Sequence, residues 1–362
     1  MQIDISYNAQ RSKADKQNDF YDVSPITFCC VGASGVGKTS MLASMYHELD
    51  IGNVSRFYID TQTQYGASTS NALADAKQAM CQLIKDTELY DEVKVSAMKG
   101  SMEEKTHEFM GQYVVRDDNF WVKTFGLGKQ HKVFTFPFHF IDMPGAWYTP
   151  GHTYHIKAIE NVKRSLVSFI AVDTPALMED DATCLNFNAS DRICQLYKGS
   201  NLDALRESKH IVVFVLSKRE KFRDVGAMLG RLQSENLYGP MIKRLKENGI
   251  PVYVTWIKTL GGLEFFQYAP DDEKPDFTVA KYIRVGDYKP ENCAVPLMLG
   301  LKCGLKYAAD VISMQIKDKV VQRFLKAMGW TNKQLAVSAA ESLAAELQSD
   351  LHAGEEQEYK KL

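Results

Sequence analysis

GASGVGKT, Gly32 to Thr39, directly follows the apolar run ITFCCV (26–31) and directly precedes SMLASMYHEL (40–49). It fits G-x-x-x-x-G-K-[ST] in the order strand, loop, helix that gives the pattern its mechanics. Gly32, Gly35 and Gly37 keep the loop free of Cβ atoms, so several backbone N–H groups can turn inward onto phosphates. Ser34 and Val36 fill the remaining loop positions, with Ser34 nearest the γ-phosphate. Lys38 supplies a point charge to the β- and γ-phosphates, Thr39 a hydroxyl to Mg²⁺, and the helix opening at Ser40 a favourable dipole. These residues are the candidate nucleotide site, and Lys38 and Thr39 its candidate catalytic and metal-holding members.

Outward from the loop, short β-rich runs alternate with helical stretches, the pattern of a parallel sheet covered by helices. The candidate strands are ITFCCV, VFTFPFHFI (133–141), LVSFIAV (166–172), HIVVFVL (210–216) and PVYVTWI (251–257). Most are apolar on both faces, as strands of a doubly covered parallel sheet should be. Pro137 restricts the second run to FHFI, because proline removes a ladder donor. Between them lies a helix from Asn71 to Thr87, with Ala72, Ala76, Ala79, Met80 and Leu83 on one face. Polar strand-like pieces follow at EFMGQYVV and DNFWVKTF. The expected fold is α/β of the P-loop NTPase, G-domain-like kind, with a mostly parallel sheet and helices on both faces.

Two further motifs stand at strand ends. DMPG, Asp142 to Gly145, follows FHFI; there an acid holds Mg²⁺ through water and a glycine three residues on brings a backbone N–H to the γ-phosphate. On its own such a tetrapeptide is as often a plain turn. SKRE, Ser217 to Glu220, follows HIVVFVL at the position where GTPases carry N/T-K-x-D. Glu220 would accept from guanine N1–H and the 2-amino group while the Lys218 stem covers the base; the plain alternative is a solvated charge cluster. Ser217 and Glu220 both depart from the usual residues.

The three motifs in this order resemble the translation-factor-related class of GTPases that includes Ras-like proteins. VDTPALME (172–179), KTLGGLEF (258–265) and YKPENCAVPL (288–297) are similar to the bacterial double-GTPase family. That resemblance implies a GTP-controlled switch acting on companion proteins in bacterial signalling or defence, with Mg²⁺ and GTP as cofactor and substrate. A P-loop ATPase or kinase, and a nucleotide-dependent scaffold with little turnover, are the rival readings. The switch threonine is left among Ser101, Thr106 and Thr124, and the last base-contacting loop falls near Thr255 to Lys258. Tyr148, His152 and His155 are the side chains after DMPG that could meet the γ-phosphate. Asp173 reads as a helix cap or turn residue as easily as a ligand.

Composition sets the outer bounds. The 362 residues are 45% hydrophobic and 24% charged with net charge −2, which suits a folded protein and excludes a basic nucleic-acid surface. The seven cysteines show no C-x-x-C pair and read as reduced thiols. The polar N-terminus does not resemble a signal peptide and no run reaches the length of a membrane span, so the cytoplasm is expected. The expected organisation is a flexible segment 1–21, a GTPase domain 22–310 enlarged at about 50–132, a helical extension 311–352 and a flexible tail 353–362. Leu297, Leu301, Leu305 and Val311 carry the first C-terminal helix toward Met328. Thr331 and Gln334 predict a capping box for a last helix striped by Leu335, Ala339, Leu343, Leu347 and Leu351.

Overall fold

The computed structural model describes residues 26–50, 57–60, 67–94, 103–115, 132–208, 210–272, 278–313 and 359–362. In chain order the strands are β1 (Ile26–Val31), β2 (Phe57–Asp60), β3 (Glu92–Lys94), β4 (Lys105–Val115), β5 (Lys132–Asp142), β6 (Val167–Asp173), β7 (Ile211–Ser217), β8 (Val252–Trp256), β9 (Leu263–Pro270), β10 (Thr278–Arg284) and β11 (Tyr359–Lys361). The helices are α1 (Lys38–Asp50), α2 (Ala67–Asp86), α3 (His155–Arg164), α4 (Thr174–Met178), α5 (Asp181–Asn188), α6 (Ser190–Gln195), α7 (Gly199–Glu207), α8 (Val225–Leu232), α9 (Gly239–Glu247) and α10 (Val295–Ser313).

One eight-stranded sheet has the order β11-β8-β7-β6-β1-β5-β4-β2. Strands β8, β7, β6, β1 and β5 run parallel, and β11, β4 and β2 join antiparallel at its two ends. This is the α/β P-loop architecture that the sequence suggested. Alternate residues of β1 serve opposite faces: Phe28 and Cys30 enter one core with α1 and α10, while Cys29 and Val31 enter the other with α3 and α9. Strands β6 and β7 are buried along their whole length. That explains their unbroken apolar composition, each buried Val, Ile or Phe contributing about 1.5–3 kcal/mol. Phe28, Phe109, Phe138, Phe140 and Phe169 form a connected ring cluster with neighbouring centroids 5.1–6.1 Å apart.

Three expectations need correction. Strand β5 continues through Pro137 to Lys132. Among the described residues its register with β1 begins at Phe138, so no described β1 ladder pair is broken by Pro137. Helix α2 buries Leu73, Met80 and Ile84, whereas Ala72 and Ala79 are exposed. The larger side chains decide which face turns inward because they remove more apolar area from water. Third, the C-terminal residues Tyr359–Lys361 are paired as β11 on β8. They occupy the unpaired backbone groups of what would otherwise be an edge strand, and the Tyr359 hydroxyl accepts from Lys302 Nζ at 2.9 Å.

A second, three-stranded sheet of order β3-β10-β9 covers a small core of Ile84, Leu260, Leu263, Phe265 and Tyr282. The sequence reading did not anticipate it. Helix α10 begins as expected, with Leu297 and Leu301 buried. The piece DNFWVKTF, the extension after Ser313 and its capping box fall outside the described residues, as do the segment 1–21, Ser101 and Thr124.

Candidate functional site

In the sheet order β1 sits between β5 and β6, so the chain leaves its C-terminal end at a point where the connections diverge to opposite sides. Such a switch point opens a crevice for ligands beyond the strand ends. The loop Gly32–Gly37 lies there, and α1 begins at Lys38. Gly35 and Gly37 have φ of +81° and +99°, in the left-handed region that favours glycine. Ser34 and Gly35 are exposed at the loop crest, whereas Val36 is buried beneath it.

Lys38 is 8% exposed and its Nζ donates to the carbonyls of Gly32 at 2.8 Å and Ala33 at 3.1 Å. Burial pushes its pKa down, and the nearby Asp142 carboxylate opposes that fall. A cation held by carbonyls at the mouth of the loop is poised to trade them for phosphate oxygens. Thr39 Oγ1 donates to Asp142 Oδ2 at 3.2 Å, joining the start of α1 to the end of β5. The other oxygen, Asp142 Oδ1, is buried without a partner.

That orphaned oxygen beside a threonine hydroxyl fits a divalent cation. Among the described residues no three His, Cys, Asp or Glu side chains converge as a metal cage. The fit is therefore to Mg²⁺, which is commonly held by one or two protein oxygens plus substrate phosphates.

Gly145 is buried against the loop: a Cβ there would lie 2.2 Å from Ser34 N and 2.6 Å from Ala33 C. Only glycine lets DMPG approach so closely. The next residue, Ala146, is exposed at the start of a short 3-10 turn, Gly145–Tyr148.

Of SKRE, the first two residues brace the phosphate loop. Ser217 Oγ lies 3.1 Å from the carbonyls of both Val36 and Val172. Lys218 Nζ donates to Gly35 O at 3.0 Å and to Asp173 Oδ2 at 2.6 Å, with both charged side chains almost fully buried. Glu220 turns to the segment after β8: its Oε1 accepts from Leu260 N at 2.6 Å and Gly261 N at 3.2 Å, and Oε2 is buried without a partner. Burial raises its pKa to about 7, against the lowering effect of these backbone donors and Lys218. One carboxylate oxygen therefore holds the loop while the other is unclaimed.

The structure brings Lys38, Thr39, Asp142, Gly145, Ser217 and Lys218 around one loop. It also shows what two further residues, which the sequence reading left open, do there. Asp173 caps α4 by accepting from Ala176 N and also pairs with Lys218, so the helix-cap reading of its strand-end position applies. Tyr148 is fully buried: its hydroxyl accepts from Gly32 N at 3.4 Å and donates toward the carbonyls of Cys30 and Met143. It supports the loop from beneath, with its hydroxyl on backbone groups, whereas the sequence reading weighed it as a side chain that could meet the γ-phosphate. His155 Nδ1 contacts Trp147 O and His152 Nδ1 accepts from Tyr154 N, so both are engaged in the local turn. Thr106 is exposed on β4 opposite Ile141, on the sheet face away from Asp142.

No family model matches the chain. No curated protein matches it either. Among solved structures, the chain is similar to the signal recognition particle receptor SRb-GTP/SRX complex from Chaetomium thermophilum, with 16% identity, 66% of this chain and 93% of that one covered, and a TM-score of 0.37. The S. cerevisiae Ski7 GTPase-like domain bound to GDP and inorganic phosphate matches at 13% identity over 69% of this chain and 46% of that one, TM-score 0.33. S. thermophilus NFeoB bound to GDP.AlF4- matches at 11% identity over 90% and 91%, TM-score 0.26. These scores are low, and the fold assignment rests on the strand order above.

Proposed function

We propose that this chain binds Mg²⁺·GTP and hydrolyses it slowly to GDP and phosphate, as a switch read by a companion protein of the kind the double-GTPase resemblance implies. The observation that carries the reading is the convergence of Lys38, the Thr39–Asp142 contact and the Gly145 approach on one glycine loop at the end of β1. The inward N–H groups and Lys38 would hold the β- and γ-phosphates, and Thr39 and Asp142 the cation. Bound Mg²⁺ would neutralise charge on the phosphate oxygens. Gly145 N–H would sense the γ-phosphate, so its loss would release the segment that follows.

Guanine preference is supported by the unpartnered Oε2 of Glu220, because guanine presents two adjacent donors, N1–H and the 2-amino group, to a carboxylate, whereas adenine presents an acceptor at N1. The shared role of that carboxylate in holding Leu260 and Gly261 keeps the ATPase reading as the rival. Titration with fluorescent GTP against ATP competitor separates the two. Equal competition by ATP refutes the guanine assignment, and undiminished GTP binding by Lys38→Ala refutes the phosphate site itself.

A further inference from the structure

Strand β4 carries a buried histidine that the phosphate chemistry above does not use. His107 is 4% exposed, and its Nε2 is buried without a hydrogen-bond partner. An unpaired buried ring nitrogen costs about 1–3 kcal/mol, so it calls for a partner that the protein atoms alone do not supply.

The register shows which other unpaired group lies nearby. In the antiparallel β4–β5 ladder Lys105 lies opposite Asp142 and His107 opposite Phe140. Side chains alternate along a strand, so His107 shares the sheet face of Phe140 and Asp142. Phe140 belongs to the core packed by α1, and Thr39 at the start of α1 contacts Asp142. His107 is therefore the diagonal neighbour of Asp142 on the α1 side, with Cβ atoms about 7–8 Å apart or less, within reach of an imidazole. Asp142 Oδ1 is itself buried and unpaired. Two orphaned atoms of complementary chemistry thus occupy the same side of one ladder.

The two lysines nearest Asp142 are engaged elsewhere or face water. Lys38 is turned onto the carbonyls of Gly32 and Ala33, and Lys105 is exposed. Burial pushes the His107 pKa below its ordinary value, with Asp142 opposing that and Lys105 adding to it. An imidazole carries at least one ring N–H, which can face a carboxylate.

We propose that His107 is a positioning residue of the divalent-cation site, donating from Nε2–H to Asp142 Oδ1 through one water, so that Oδ2 stays turned to Thr39. The inference rests on Asp142 lying at the Mg²⁺ site of the proposed function. Outer-shell partners of this kind fix the orientation of a cation-binding carboxylate, and losing one costs about 10- to 100-fold in metal affinity.

The test measures how Mg²⁺ concentration slows the release of a fluorescent GDP analogue from the full chain. Wild type and His107→Leu, an apolar replacement that leaves no unpaired group of its own, are compared with His107→Gln, which keeps a donor. The expected result is a tenfold or larger rise in the half-protecting Mg²⁺ concentration for His107→Leu, with substantial recovery in His107→Gln and GDP binding in EDTA unchanged in both. A leucine variant matching wild type, or a glutamine variant no better than leucine, overturns the proposal while leaving the Mg²⁺ site standing. If wild-type release ignores Mg²⁺, the site and the proposal fall together. Should His107→Leu misfold, the imidazole ¹⁵N spectrum of wild type decides: an Nε2–H tautomer broadened by Mn²⁺·GDP supports the assignment, and an Nδ1–H tautomer refutes it.

Discussion

Replacing Gly145 by alanine forces a conflict whose size follows from the coordinates. The added methyl would sit 2.2 Å from Ser34 N, about 1.2 Å short of the 3.4 Å at which ordinary contact begins. Both groups it meets are backbone of the phosphate loop, so no side-chain rotation relieves the overlap, and either the loop or DMPG must move by roughly that amount. Overpacking of this kind costs about 1–3 kcal/mol. For a domain of this size that lowers Tm by about 2–10 °C. The displacement also takes Gly145 N–H away from a γ-phosphate, removing a charge-assisted hydrogen bond worth about 1.5–3 kcal/mol, or about 10- to 150-fold in affinity. GDP has no γ-phosphate and should lose much less. The assay pairs thermal unfolding of the nucleotide-free protein with titrations of GDP and a non-hydrolysable GTP analogue. A variant with wild-type Tm and an unchanged ratio of GTP-analogue to GDP affinity would refute the argument that Gly145 reports the γ-phosphate.

Three other outcomes follow from the same geometry. Asp173→Ala leaves the buried Lys218 charge unpaired and removes the α4 cap, so urea unfolding should show a loss of about 3–5 kcal/mol; a loss near zero would mean the pair is unimportant. Glu220 has its folded pKa raised from 4.5 to about 7, so the native state holds the extra proton and stability falls as pH rises between those values. Guanine needs the ionised form, so GTP affinity relative to Glu220→Gln should be about tenfold lower at pH 6 than its plateau above pH 8, and a flat ratio would contradict this. Intrinsic turnover should be on the order of 10⁻⁴ s⁻¹ or below, because Ala146 cannot orient water as a glutamine does. Phosphate release at about 1 s⁻¹, independent of protein concentration, would show that another side chain supplies that function in cis.

The sheet and its loop were legible because their signals are local: a glycine pattern between a strand and a helix, and apolar runs long enough to be buried on both faces. Pro137 misled because the rule against proline in a strand assumes a ladder partner on each side, and among the described residues the β1 pairing starts only at Phe138. The α2 face was misjudged by one position because alanines match helical spacing while carrying little area to bury. Strands β9 and β10 escaped notice because they are half-exposed, with polar residues interrupting their alternation. At the site, the partners of Asp173, Tyr148 and Glu220 come from segments far away in the chain. Lys218 and Asp173 are separated by 45 positions and Glu220 and Leu260 by 40, and no spacing rule links such residues. Residue type marked Lys38, Thr39, Asp142 and Gly145 as candidates, because each stands in a motif; it did not reveal which of Glu220's two oxygens is free.

The central claim is that the loop Gly32–Thr39 holds a guanine nucleotide, and the most direct measurement is the identity of the nucleotide released when freshly purified protein is denatured. Chromatography of that supernatant should show GDP or GTP approaching one equivalent per chain, and none from Lys38→Ala. An adenine nucleotide in that position, or the same guanine nucleotide content in Lys38→Ala, would contradict it.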